Sequence, residues 1–527
     1  MSVLVFEGFL STPEMLAVLD KSSIVQAMMD FEAALARAQG RVGVIPQSAA
    51  QAIASLCRVE LYDIHALMAA SAHDGSLAIP VVRRLAETVA LFDPAAASFV
   101  HLGSTSQDVI DTAQVLLARR GLRLIEDDLL ELVGVLLDLA DAHPAQPILA
   151  RTLMQPAQVS SLRFRLASWA LPLLRCAQGL RHAADGALQL QFGGAVGTLS
   201  ALGEKAEAVS QALGAELKLP VPDMPWHSQR DRWVRLCAEL GVLCGSLGKL
   251  ARDVSLLSQA EIGEMAEPED LPPLGPPSDG LACHEPAGAM PAAPAPSWLK
   301  PSAKPAKAGG LDAAHIGLPA GLPLSVRKRS HSRAMPHKRN PVSCMLALAA
   351  AQRAPQRVAA LLGSMLQEFE RGLGGWQAEL AESVSLLMHS HGSVRAMLTA
   401  MAGITLYPGR MAANIEAQQG LVYSEALTQC LAGVLGRIEA QLLVGQLCDE
   451  VLAAHESGAA PVDSPSLRAL AQDICARDAR LQAGIEPAAL AAVFDPQRVA
   501  QHADQRVGKA LAQARVDLCA LLDRPQW

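Results

Sequence analysis

A repeat of leucines constrains this chain more than any other feature of its sequence. Apolar residues alternate at steps of four and three over three heptads, at Leu236, Leu240, Leu243, Leu247, Leu250, Val254 and Leu257. The mean spacing of 3.5 residues keeps an apolar stripe on one side of a helix that packs against other helices. The repeat therefore predicts a long bundle helix. Two other segments with similar spacing predict further helices: Leu129, Leu132, Leu136 and Leu139, and then Val159, Leu162, Leu166, Trp169 and Leu173.

Patterns typical of strands are nearly absent, so we predict an all-α fold. Small residues fill many positions between the leucines and permit close approach of neighbouring helices. Some helix faces carry few charges, which predicts that the bundle continues into partner subunits.

Composition and charge exclude several classes of protein. With 51% hydrophobic and 18% charged residues the chain is globular rather than disordered, and its net charge of −8 argues against a broad nucleic-acid surface. Ten cysteines without a CxxC pair are typical of thiols in a reducing compartment. The first residues lack a basic leader pattern, and no apolar run reaches membrane-spanning length. We therefore expect a cytoplasmic protein that binds neither nucleic acid nor membrane.

One segment interrupts the helical pattern. Of the 33 prolines, 13 lie between Pro268 and Pro323. Such a segment cannot hold helix hydrogen bonds and buries little, so we predict a long loop or a disordered insert at about 268–325.

A cationic decapeptide, RAMPHKRNPV, follows the insert at 333–342. Asn340 and Pro341 have the chemistry of an N-cap and a first helical residue, so a helix is predicted to start there. Its free amides and dipole would face Lys338 and Arg339 and create a site for a carboxylate or phosphate. The alternative is a solvated basic turn, which is the usual explanation for an isolated Lys-Arg pair.

Two further stretches place polar residues before helices. In HLGSTSQDVIDTAQ, Ser104 and Gln107 have capping-box spacing, with the helical pattern starting at about Asp108. In ARTLMQPAQVSSLRF, polar residues again precede a long helix. Taken alone, the first stretch is explained by ordinary capping and the second says little.

Together, the three stretches resemble the three signature regions of the fumarase/aspartase superfamily. AMPHKRNP is similar to the superfamily loop SSxMPxKxNP, and the resemblance continues through FEAALARAQGRVGVIP, GGAVGTLSALGEKAEAV, PWHSQRDR and QEFERGLGGWQAEL. Within the superfamily, these later stretches and SLAIPVVRRL are most similar to bacterial 3-carboxy-cis,cis-muconate cycloisomerases. The resemblance implies a homotetramer around a central bundle, active sites assembled from three subunits, and no metal or organic cofactor. It also implies three helical domains, which we place at 1–107, 108–366 with the insert, and 367–527.

Residue matching assigns roles that the resemblance implies. Ser332 takes the place of the catalytic loop serine, which exchanges a proton with substrate carbon, and Lys338 supplies the positive field that such a serine needs. The substrate would be a small polycarboxylate whose charge builds on one carboxylate during the reaction. The implied substrate-binding residues are His101, Ser104, Thr105, Ser106, Gln107, Arg151, Thr152, Gln155, Gln259, Arg339 and Asn340. Roles for His73, Asp74 and His227 stay open.

Two departures from the superfamily pattern bear on function. Many members have a histidine acid where this chain has Leu153, and some have another where it has Pro156. A lyase that expels an amine gains from such an acid, whereas in lactonisation the nucleophile is an ionised carboxylate. The sequence therefore favours a cycloisomerase over an adenylosuccinate or argininosuccinate lyase. His331, Arg333 and the long insert leave a second class open, a catalytically silent scaffold.

Overall fold

The structure, a computed structural model, describes residues 7–269, 335, 338–456, 465–525 and 527. The chain divides into a main unit, Met1–Glu267 with Asn340–Trp527, and a second unit, Pro268–Arg339. Most of the predicted insert at 268–325 lies outside the described residues, as do Ser332 and its neighbours His331 and Arg333. The three-domain division of the chain stays a prediction.

Helices make up most of the main unit. Before the insert they are α1 (Pro13–Val18), α2 (Lys21–Val42), α3 (Gln47–Leu56), α4 (Ile64–Asp74), α5 (Ala78–Phe92), α6 (Pro94–Ala97), α7 (Ser106–Ala142), α8 (Leu162–Ala187), α9 (Ala206–Leu217) and α10 (Asp231–Leu257). After it they are α11 (Val342–Gly363), α12 (Gly375–Ala402), α13 (Pro408–Glu416), α14 (Ser424–Leu435), α15 (Arg437–Glu456), α16 (Leu467–Arg477), α17 (Ala479–Gly484), α18 (Pro487–Val493) and α19 (Pro496–Leu522). The all-α prediction is confirmed.

The leucine repeat forms the centre of the bundle. All seven of its residues lie on α10, and each is at most 3% exposed. They are buried because α10 packs against α8, α11 and α12, while α7 packs against α8 and α12. Small residues permit this packing: a Cβ added to Gly241 would lie 2.6 Å from Val358 Cγ2 on α11. The predicted bundle helix is confirmed, and its stripe is covered within the chain itself.

Strands are few in the described residues. β1 (Pro147–Thr152) and β2 (Gln155–Ser161) form an antiparallel hairpin, and β3 (Met265–Ala266) pairs with β4 (Thr405–Leu406). Val159 lies in β2, so the helix predicted to include it starts only at Leu162. The reason is the Ser161 side chain, which caps α8 by accepting a hydrogen bond from the Phe164 amide at 2.9 Å.

The start of α11 also differs from the prediction. Pro341 occupies the N-cap position and Asn340 provides no cap. Instead the Glu267 carboxylate accepts hydrogen bonds from the amides of Ser343 (3.0 Å) and Cys344 (2.8 Å). The amides predicted to attract an anion therefore already bind a carboxylate of the chain.

The C-terminal helices surround a smaller core of their own. Leu427 and Leu431 of α14 are fully buried there, and Tyr423 packs edge-to-face on Phe494 with ring centroids 5.6 Å apart. Nine cysteines lie among the described residues, and five of them are buried. None of the described helices has the length and apolarity needed to cross a bilayer.

Candidate active site

The first signature stretch forms a tight polar turn at the N-terminus of α7. The helix begins at Ser106, with Thr105 as N-cap and Asp108 as the residue that accepts the Thr105 amide at 3.0 Å. The predicted capping box of Ser104 and Gln107 is therefore wrong by one residue. Gln107 is buried instead, and its amide donates to the His227 carbonyl at 2.8 Å.

Asp108 holds this turn against the segment at 193–194. Its Oδ1 accepts from the Gly193 amide (3.0 Å) and His227 Nε2 (2.7 Å), and its Oδ2 accepts from the Gly194 amide (2.9 Å). The approach requires glycine, because a Cβ on Gly194, whose φ is +68°, would lie 2.8 Å from the Gly103 carbonyl oxygen. The two chain segments are thereby fixed together beneath the turn.

A buried ion cluster supports α7 one helical turn further on. Both oxygens of Asp111 accept from Arg230, at 2.8 and 3.0 Å, and Arg230 also donates to Glu379 of α12. All three side chains are fully buried. The indole of Trp376 donates to Asp111 at 2.9 Å. Burial opposes the charge on Arg230, but the two carboxylates outweigh it and raise its pKa.

His101, at the start of the turn, faces a second buried carboxylate. Its Nδ1 donates to Glu32 Oε1 of α2 at 2.6 Å, and Glu32 is 1% exposed. Burial lowers the pKa of His101, yet the charge and hydrogen bond of Glu32 and the charge of Asp108 outweigh burial and raise it. The His101 backbone has φ +60°, an unusual conformation for a residue with a side chain.

Arg371 contacts the turn, and it was not identified as a site residue from the sequence. Its guanidinium donates to Thr105 Oγ1 (3.3 Å), Gln107 Oε1 (3.4 Å) and the Ala195 carbonyl (2.9 Å). The residue lies within QEFERGLGGWQAEL, where a cation in a glycine-rich connection between two helices was the available indication. With half-buried hydroxyls at Ser104, Thr105 and Ser106, the imidazole of His101 and the guanidinium of Arg371, the turn is suited to a carboxylate.

The second signature stretch forms the β1–β2 hairpin. Arg151 donates through Nη2 to the buried Glu264 at 2.9 Å, and Asn414 donates to the same oxygen at 2.8 Å. Thr152 and Gln155 flank the hairpin tip and are exposed. Within the described residues, no hydrogen bond or ion pair joins these three predicted site residues to the turn at 101–107.

The tip of this hairpin has an unusual backbone. Leu153 and Met154 have φ of +51° and +68°, and their side chains are 97% and 69% exposed. Leu153 occupies the position where many superfamily members have a histidine. No hydrogen-bonding side chain replaces that histidine at the tip.

The remaining predicted residues lie elsewhere. Gln259 is exposed in the turn that follows α10, and Asn340 is exposed before α11. In the second unit, the Lys338 amide donates to the Met335 carbonyl at 3.0 Å, and Arg339 pairs with Glu269 at 2.5 Å. Ser332, to which the resemblance assigns the catalytic role, lies outside the described residues.

Three residues left open by the sequence have distinct environments. His227 is 4% exposed and packs beneath the turn through Asp108, rather than capping a helix. His73 is exposed at the last turn of α4, with its Nδ1 3.3 Å from Asp74. Asp74 also accepts from Arg83 at 3.0 Å, so this pair belongs to an ordinary surface ion cluster in the single chain.

Comparison with known proteins agrees with this architecture. Residues 10–270 match the family described as Lyase. A 3-carboxy-cis,cis-muconate cycloisomerase of Pseudomonas aeruginosa is 38% identical over 96% of this chain and 96% of its own, and that of Bradyrhizobium diazoefficiens is 35% identical over 92% and 93%. The crystal structure of the 3-carboxy-cis,cis-muconate lactonizing enzyme of Pseudomonas putida superposes with a TM-score of 0.79 and 33% identity, over 98% of this chain and 100% of the other.

Proposed function

The chain belongs to the lyase family that includes the 3-carboxy-cis,cis-muconate cycloisomerases, and we propose that it interconverts 3-carboxy-cis,cis-muconate and a carboxymuconolactone. The observation that carries the proposal is similarity over almost the whole chain to relatives that share this one activity. The signature turn agrees with it, because hydroxyls and cations converge there at a helix N-terminus.

The reaction forms a carbon–oxygen bond within the substrate. One carboxylate adds to the conjugated alkene, charge moves onto a second carboxylate, and the carbon that bears the new charge takes a proton. We assign that proton transfer to Ser332, with Lys338 lowering the energy of its alkoxide. In the reverse direction Ser332 removes the same proton, and the ring carboxylate leaves.

The signature turn would hold the carboxylate on which charge builds. Ser104, Thr105 and Ser106 supply hydroxyl donors at the start of α7, His101 supplies an imidazole donor, and the buried Gln107 ties the turn to the His227 carbonyl. Arg151, Thr152, Gln155, Gln259, Arg339 and Asn340 complete the proposed polycarboxylate site. The exposed Leu153 supports lactonisation, since a carboxylate nucleophile and leaving group need no acid at that position.

We further propose a cytoplasmic homotetramer with sites shared between subunits. The leucine repeat does not require a partner, because its stripe is buried within the chain. Exposed apolar residues elsewhere support the assembly: Val242 of α10 and Met345 and Leu362 of α11 are each more than half exposed, and Leu153 is almost fully exposed. Scattered cysteines without a CxxC pair support a reducing compartment.

An ultraviolet assay tests the activity directly. Purified protein is mixed with 3-carboxy-cis,cis-muconate, and loss of the conjugated diene is followed, with the lactone identified by proton NMR. Argininosuccinate and adenylosuccinate are assayed in parallel. Turnover of carboxymuconate alone supports the proposal. Turnover of argininosuccinate or adenylosuccinate would show that the protein has another lyase activity. No turnover of any of the three would support the scaffold hypothesis.

A further inference from the structure

We propose that Glu32 of α2 is a positioning residue that keeps His101 protonated, so that His101 presents a positive charge to a substrate carboxylate. The inference rests on the proposed function, because it names what the signature turn binds. The role of Glu32 follows from its geometry: its carboxylate is 1% exposed and lies 2.6 Å from one imidazole nitrogen of His101.

The burial of Glu32 requires explanation. A carboxylate without a cation partner is costly to remove from water, so a fully enclosed one normally has a charged neighbour. Among the described residues, the partner that Glu32 contacts is His101. The pair therefore carries opposite charges most favourably when the imidazole holds two protons.

Helix α2 anchors the turn at a second point. Gln39, seven residues after Glu32 and thus on the same helix face, donates from its buried amide to the Leu102 carbonyl at 2.7 Å. Glu32 thereby holds the side chain of one residue, and Gln39 holds the backbone of the next. Together they stabilise the left-handed conformation of His101, whose φ of +60° would otherwise be disfavoured.

The imidazole stays accessible from the other side. The His101 side chain retains 20% exposure, while Glu32 behind it has almost none. Since Nδ1 is bound to Glu32, Nε2 is the nitrogen left to donate to a ligand. A carboxylate of the substrate fits this donor, because it would add a second negative charge to a cation that is already fixed in place.

The charges around His101 determine the pH range over which its imidazole is protonated. Glu32 faces it from α2 and Asp108 from α7, and both favour the imidazolium, whereas burial opposes it. Its pKa lies above the ordinary 6.5 as a result. The cation is thus present below 6.5 and is lost only as pH rises through the raised value, which extends carboxylate binding to higher pH.

The test compares wild type, Glu32→Gln and Glu216→Gln. Glu216 is a matched control, because it is a carboxylate that pairs with Arg37 and Arg41 of the same helix α2 but lies at the surface. We expect Glu32→Gln to raise KM for carboxymuconate about 10-fold or more above pH 7, with a much smaller effect at pH 6 and a change in kcat of less than about 3-fold. Glu216→Gln should leave the KM–pH profile unchanged.

NMR titration of histidine-labelled, substrate-free protein gives an independent readout. His101, assigned by its loss in His101→Asn, should titrate above 6.5 in wild type and at lower pH in Glu32→Gln. A wild-type value at or below 6.5 overturns the inference, even if Glu32→Gln fails to fold. So does a folded Glu32→Gln protein with an unchanged KM–pH profile, which would leave Glu32 a purely structural role. If wild type does not turn over carboxymuconate, the proposed function fails, while the titration still decides whether Glu32 sets the charge of His101.

Discussion

At the scale of single residues, the arrangement beneath the signature turn depends on one guanidinium. Arg230 neutralises two buried carboxylates, Asp111 and Glu379, and stacks on Trp226 with its Cζ 4.4 Å from the ring centroid. Neither carboxylate is exposed to solvent that could replace the arginine. Arg230→Met should therefore lower the free energy of unfolding by about 3–5 kcal/mol, the usual cost of leaving a buried charge without its partner. Urea denaturation measures the change.

Arg235→Met is the matched control for this substitution. Arg235 lies on the same helix, is 78% exposed and pairs with Asp231 at 4.0 Å, so its loss should cost less than about 0.5 kcal/mol. The effect of Arg230→Met should also depend on pH. Burial already raises the pKa of Glu379, and removing the cation raises it further, so the variant should lose stability as pH rises through the range of carboxylate titration. A variant as stable as the control at pH 8 would contradict the role given to Arg230.

The proposed catalytic pair allows a second residue-scale prediction. Ser332→Ala should lower kcat by about 10²- to 10⁴-fold with little change in folding, because it removes the group that exchanges the carbon-bound proton. Lys338→Met should raise KM as well, since its charge acts on the carboxylate in both ground and transition states. Steady-state kinetics on carboxymuconate separates the two. Wild-type rates in Ser332→Ala would remove Ser332 from the mechanism without affecting the family.

At the scale of helices and strands, periodicity predicted more than local capping did. The positions Leu236 to Leu257 were predicted correctly as one helix, because a 3.5-residue repeat reports directly on which face is buried. The starts of α7 and α11 were predicted less well. Glu267 caps α11 from 76 residues earlier in the chain, and no local pattern at Asn340 contains that information. The contacts of Glu32, Arg230 and Arg371 are likewise long-range. The sequence therefore identified the turn but not the buried side chains that hold it in place.

The contribution of the Glu267 cap to stability can be measured in a protein that lacks the insert. Replacing residues 271–330 with a short Gly-Ser linker should leave the free energy of unfolding within about 1 kcal/mol of wild type, since loop length contributes weakly to stability. Glu267→Ala in the shortened protein should then cost about 0.5–2 kcal/mol through loss of a helix cap. Glu269→Ala removes a more exposed carboxylate, paired with Arg339, and serves as the control. Equal effects of the two substitutions would show that the cap has no special role.

At the scale of the whole molecule, the signature stretches divide into separate groups within one chain. The turn at 101–107 is held by Glu32 and Asp108, whereas Arg151 of the hairpin is held by Glu264. This separation is compatible with sites completed by neighbouring subunits, as the proposed tetramer requires. Sedimentation should give a tetramer, and a fully active monomer would contradict it.

Mixing of inactive variants tests the sharing of sites. Thr105→Val and Lys338→Met damage different signature stretches, so each homotetramer should have little activity. After unfolding and refolding together in equal amounts, some sites should combine an intact turn with an intact loop. About a quarter of wild-type activity is expected, because each segment is intact in half of the subunits. Two samples refolded separately and then combined are the control, and the absence of any recovery in the joint sample would place each site within one chain.

The packing of α10 determines what would happen if the protein were produced as two separate fragments. This helix carries a buried leucine stripe and packs against α11 and α12, which follow the insert, so the bundle core joins the two sides of that segment. A break in the chain within 271–330 would produce two polypeptides with complementary apolar surfaces. Folding would then become a bimolecular reaction whose extent depends on the concentration of both fragments. Each fragment would need the other to bury its part of the bundle core.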